Sequence, residues 1–125
     1  MSRKFTALVA AAALALALTG NAFAASTVWL RVITVKTDNV AAYTHEIERG
    51  RALMKKLGLQ ITTRIWRATF AGPDAGTVVV SQEFPSWQAF SDAQAKVAAD
   101  KDMQAFLAGL DKIRTITSDS LYREL

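Results

Sequence analysis

His45 is the only histidine in the 125-residue chain. A lone imidazole is a natural candidate for acid–base work or metal ligation near neutral pH, yet its setting points elsewhere. Val40, Tyr43, Ile47, Gly50, Met54 and Leu57 form one stripe of a helical pattern. At about 100° per residue, His45 falls on the opposite side, facing solvent. There is no cysteine, so a metal site would need clustered carboxylates. Asp100 and Asp102 come nearest, and they stand where a helix begins, as charge-favoured first-turn residues. Neither a metal nor a cofactor is expected. Gly72 and Gly76 bracket a strand-to-strand turn and so do not form a phosphate-cradling crossover. A Ser–His–Asp assembly would require His45, already placed outside.

Five strand residues remain as candidates: Trp29, Arg31, Arg64, Trp66 and Glu83. Side chains repeat every two residues along a strand, so Trp29 shares a face with Arg31, and Arg64 with Trp66. If those two faces coincide and turn away from the helices, they line a cavity enclosed by a second copy of the chain, where tryptophan walls beside arginine suit a flat, apolar or aromatic molecule carrying an acidic group. The competing assignment, and the preferred one, is interface packing, with each arginine paired to Glu83 or lying at a strand edge. Tryptophan and arginine are both common at interfaces. Trp87 is expected in the core.

Which of these residues meet depends on the elements that carry them. Residues 28–36 are β-branched and free of Gly and Pro, a strand with apolar residues on both faces. Thr37, Asp38 and Asn39 offer capping oxygens to a helix that ends at Gly58. Gly50 within its stripe suggests close approach to the sheet. Residues 59–70 and 77–84 read as a hairpin around Ala71-Gly72-Pro73-Asp74-Ala75-Gly76. Ser86 caps a helix whose inner positions are Trp87, Phe90, Ala93 or Gln94, and Val97. Asp100 caps a shorter one with Met103, Phe106, Leu107 and Leu110 inward. Residues 114–123 form the last strand.

The order β-α-β-β-α-β, with a small extra helix, is the split βαβ or ferredoxin-like α+β arrangement. Its helices pack on one face of a four-stranded antiparallel sheet and leave the other bare. Strands apolar on both sides make that bare face an association site. A second copy, face to face, is the expected partner.

The first 24 residues read as a secretory signal. Arg3 and Lys4 precede an apolar run from Phe5 to Leu18, and Ala22-Phe23-Ala24 presents small residues for cleavage. The run falls short of the roughly 20 residues a spanning helix needs. No membrane anchor is therefore expected after cleavage, and the mature chain, residues 25–125, is one periplasmic or secreted domain. Its 13 basic and 11 acidic side chains form no clustered basic face of the kind nucleic acid requires. Without disulfides, stability must come from apolar burial.

The stretch Val78-Val79-Val80-Ser81-Gln82-Glu83-Phe84-Pro85-Ser86-Trp87, continuing to Leu107, resembles the dimeric α/β-barrel superfamily, with its antibiotic-biosynthesis-monooxygenase-like and NIPSNAP-like domains. A strand ends in Glu83-Phe84, a serine caps the next helix, and an aspartate-marked break leads into a short amphipathic helix. The resemblance implies the ferredoxin-like fold and dimerisation. It also implies, as alternatives, cofactor-independent oxygenation of an aromatic or quinone-like substrate and haem handling. The Asn, Trp and His set of the haem-degrading members has no counterpart here, since the first strand lacks Asn and Asn39 stands at a helix start. The leading expectation is a small exported dimer that binds a ligand or interacts without catalysis.

Overall fold

A computed structural model describes residues 27–125. The secretory segment read over residues 1–24 and its cleavage point lie outside the described residues. β1 runs Trp29–Lys36. Helix α1, Val40–Lys56, starts where the Asn39 side chain accepts from the Ala42 amide. It closes in a Schellman turn: Gly58 adopts φ 70°, and the Gly58 and Leu59 amides donate to the Lys55 and Met54 carbonyls. β2, Thr62–Arg67, is shorter at both ends than the sequence suggests. A turn carrying Gly72–Asp74 in 3₁₀ conformation leads to β3, Val78–Phe84. Ser86 and Asp100 cap α2, Trp87–Ala99, and α3, Lys101–Leu110, by accepting from the Ala89 and Met103 amides. β4 is Thr115–Arg123.

The four strands form one antiparallel sheet in the order β2-β3-β1-β4. That is the expected ferredoxin-like α+β fold. Ile33 and Val35 of β1 and Val78 and Val80 of β3 pack beneath Tyr43 and Ile47 of α1 and Met103, Phe106 and Leu110 of α3. This packing fixes the inward phase of β1 as Trp29, Arg31, Ile33 and Val35, because alternate residues face opposite sides.

Gly50 is a close-approach glycine, but its neighbour is another helix. A Cβ built there would lie 2.5 Å from Cζ of Phe106, so α1 meets α3 at this point and not the sheet. No helix among the described residues is long and apolar enough to cross a membrane.

The face that the helices leave bare carries Leu30 and Val32 of β1, Val79 of β3 and the half-exposed Trp66 of β2. Around them lie Thr34, Thr62, Arg64, Ser81, Glu83, Ser118, Ser120 and Tyr122, as the registers require, so the expected apolar character of this face is confined to its centre because β2 and β4 turn mainly polar residues outward. An apolar centre is thus ringed by polar and amphipathic side chains.

Candidate functional site

Beneath the helices, three strands each place one polar residue in the inward phase; β2 adds Arg67, exposed at its far end opposite Val78. β2 and its approach offer Ile61, Thr63 and Ile65; β3 offers Val78, Val80, Gln82 and Phe84; β1 offers Trp29, Arg31, Ile33 and Val35. The register pairs Thr63 with Gln82 and Gln82 with Arg31. The three therefore stand side by side across the sheet, with neighbouring Cβ atoms roughly 5 Å apart. Ile65, Val80 and Ile33 form the apolar row on one side, and Phe84 with Trp29 bounds the other.

Above this polar row lies a cavity of about 340 Å³, roofed by Gly50 and Met54 of α1, Val97 of α2 and Phe106 of α3. Thr63 is only 4% exposed, and its Oγ1 has no hydrogen-bond partner in the protein. Gln82 directs Nε2 toward the Met54 sulfur at 3.8 Å, a weak acceptor. Arg31 donates from Nε and Nη2 to the two oxygens of Asp119 at 2.9 and 2.7 Å. A guanidinium has five N–H groups, so this fork leaves others for the cavity that Arg31 lines. The hydrogen bonds from Arg31 hold the Asp119 carboxyl below the ordinary aspartate range, and the charges of Arg31 and Arg114 add to the effect against a smaller cost of burial. Buried polar groups normally find partners. A row of under-used ones in an apolar chamber is suited to receive the polar atoms of a ligand.

At the start of β4, Arg114 lines the same cavity. Its side chain is 8% exposed. Nη1 donates to the Tyr43 hydroxyl at 3.3 Å, and Nε and Nη2 reach Asp111 Oδ1 at 3.4 Å.

The five strand residues singled out in the sequence do not form one wall. Trp29 and Arg31 lie on the helix side, whereas Arg64, Trp66 and Glu83 lie on the bare face, opposite Ser81, Val79 and Thr62. The reason is the phase of β2: Thr63 takes the inward position beside Gln82, which turns Arg64 and Trp66 outward. Arg31 pairs with Asp119, not Glu83, and Trp66 Nε1 donates to Ser81 Oγ at 2.8 Å. Trp87 is not core. It is 53% exposed and covers the end of the sheet, 4.9 Å from the Trp29 ring and 5.3 Å from Phe90 between centroids. His45 is exposed.

Thr63, Gln82 and Arg114 were not expected. The signal for the first two was present, a polar residue at an inward step of an alternating strand. Only the register reveals that they adjoin Arg31. Chemically, the chamber can hydrogen-bond and neutralise charge. The Thr63 hydroxyl has no neighbouring base to activate it as a nucleophile, and among the described residues no three His, Cys, Asp or Glu side chains gather as a metal centre needs.

No protein-family model matches the sequence, and no curated protein is detectably similar to it. Solved structures are similar in fold. A NIPSNAP family protein from Agrobacterium tumefaciens superposes with a TM-score of 0.60 at 17% identity, over 79% of this chain and 83% of that one. A second NIPSNAP family protein from the same organism, of unknown function, gives 0.58 at 16% identity, over 78% and 85%. SnoaB, a cofactor-independent oxygenase from Streptomyces nogalater, gives 0.55 at 16% identity, over 79% and 92%. The chain thus has the ferredoxin-like α+β fold of these structures.

Proposed function

We propose that the mature protein is an exported homodimer that binds a small, largely apolar molecule, without transforming it, in the chamber between its sheet and helices. One observation carries this: the buried row Thr63–Gln82–Arg31, whose hydrogen-bonding capacity the protein itself leaves in part unused, on the floor of an apolar cavity. At about 340 Å³ the chamber lies at the lower end of ligand-site volumes, room for a molecule of about one or two rings. The placement of the side chains supports binding without catalysis. The histidine is outside, the inward hydroxyl lacks a base, and Asp111 lies mostly in water.

Two further parts belong to the proposal. The amino-terminal pattern of Arg3, Lys4, the apolar run and Ala22-Phe23-Ala24 directs export and cleavage. A second copy covers the bare sheet face, where Leu30, Val32, Val79 and Trp66 supply the apolar centre that interfaces bury. Native mass spectrometry of protein purified from its own cell envelope tests all three together. The expected species is a dimer of chains beginning at Ala25 with a small molecule retained; a bare monomer contradicts the proposal.

The fold shared with SnoaB, together with the rings of Phe84 and Phe106 in the cavity wall, supports one second reading, cofactor-independent oxygenation of an aromatic substrate. Oxygen uptake with an aromatic hydroquinone as sole reductant decides between them. Uptake above the protein-free rate favours the oxygenase.

A further inference from the structure

The two arginines of the chamber are not equivalent. Arg31 is neutralised by a two-pronged, short contact with Asp119. Arg114 is more deeply buried, yet all three of its contacts are 3.3 or 3.4 Å. Charge-assisted hydrogen bonds close to about 2.7–2.9 Å when well made. Of its anionic neighbours, Asp111 is 66% exposed in its side chain and so divides its charge with water, and both oxygens of Asp119 are already taken by Arg31. A buried cation needs close compensation, and here the protein supplies it only loosely. The open side of that guanidinium is the apolar cavity.

Resting on the ligand-binding reading above, we infer that the molecule held in the chamber is an apolar acid whose carboxylate is received by Arg114. The register sets Thr115 opposite Lys36 and Arg31 beside Gln82, so Arg114 enters at one end of the inward face of β1 and the polar row lies toward the other, with the inward-facing Ile33 and Val80 between them. The ligand therefore has three parts: a carboxylate at Arg114, an apolar body over Ile33 and Val80, and a hydroxyl or carbonyl at the far end for Thr63 and Gln82. Free guanidinium donors in a fixed fork match a carboxylate better than any neutral group of the same size.

Isothermal titration of the mature protein with a hydroxynaphthoate and with the matching hydroxynaphthyl methanol separates the two levels of the claim. The acid should bind at least about tenfold tighter than the alcohol. In Arg114→Gln that preference should fall to near unity, and in Arg114→Lys, which keeps the charge, most of it should remain. Equal binding of acid and alcohol by the wild type, or an undiminished preference in Arg114→Gln, overturns the assignment of the anion while leaving the chamber as a binding site. Failure of both probes to bind overturns the chamber itself, and this inference with it. If Arg114→Gln does not fold, Arg31→Gln decides: the preference for the acid should survive it, and its loss there would overturn the assignment to Arg114.

Discussion

Replacing Gly50 by alanine tests the packing above the chamber in two opposed ways. Alanine favours the helix by about 1 kcal/mol over glycine. The added Cβ, however, would lie 2.5 Å from Cζ and 2.7 Å from Cε1 of Phe106, where carbon atoms rest at about 3.5–4.0 Å. The ring must retreat by about 1 Å. It is buried, with the Arg49 guanidinium 5.1 Å from its centroid, and the space open to it is the cavity that both residues line. Overpacking of this kind costs about 1–3 kcal/mol. Set against the helical gain, Gly50→Ala should destabilise by about 1 kcal/mol, lowering Tm by about 4–8 °C for a domain this size. Ligand affinity should fall as well, because the ring moves into the binding volume. Gly109 in α3 is the control. A Cβ there has no neighbour within 4 Å, so Gly109→Ala should raise stability by about 0.5–1 kcal/mol. Urea unfolding followed by circular dichroism measures both. If Gly50→Ala stabilises as much as Gly109→Ala, the contact between α1 and α3 is not as tight as described and the reasoning is wrong.

Thr63→Val removes a buried hydroxyl that makes no protein hydrogen bond. Stability should hold or rise by up to about 1 kcal/mol, where a bonded buried threonine would lose about that much, while ligand binding weakens; thermal melts and titration report the two. Asp119 is held below its ordinary range by Arg31. The pair's contribution is therefore complete above the unfolded value of about 3.9 and is lost as pH falls through the lower folded value. With its side chains 28% and 37% exposed, it contributes about 1 kcal/mol at most. Asp119→Asn should thus be slightly less stable than wild type at neutral pH, the gap closing in strong acid; a gap that widens toward low pH refutes the pairing. His45→Ala should leave both stability and binding unchanged, within about 0.5 kcal/mol, and a larger loss by either measure contradicts its placement in solvent.

Local chemistry made most of the fold legible. Asn39, Ser86 and Asp100 cap where short polar side chains before apolar periodicity said they would, and Gly58 ends α1 in a left-handed turn. The site was less legible because period-two alternation divides each strand into two faces without saying which faces of different strands coincide. That depends on long-range register. Arg31 meets Gln82 and Asp119 only through pairings of β1 with β3 and β4, so Trp29 and Arg31 could not be separated from Arg64 and Trp66 by counting along the chain. Gly50 was recognisable as a close-approach residue, but its partner, Phe106, lies 56 residues later on another helix. Trp87 was assigned to the core by its hydrophobicity. It stands at the first position of α2, beyond the last residue of β3, where Trp29 and Phe90 cover it only in part.

The most direct test of the chamber as the ligand site is an amide and side-chain NMR titration of the mature protein with a hydroxynaphthoate. Saturable shifts should appear at the Thr63 amide, the Gln82 side-chain amide and the Arg114 guanidinium, while the amides of Arg64 and Glu83 stay still. Shifts confined to Arg64, Glu83 and the Trp66 indole would place the ligand on the bare face of the sheet and contradict the account.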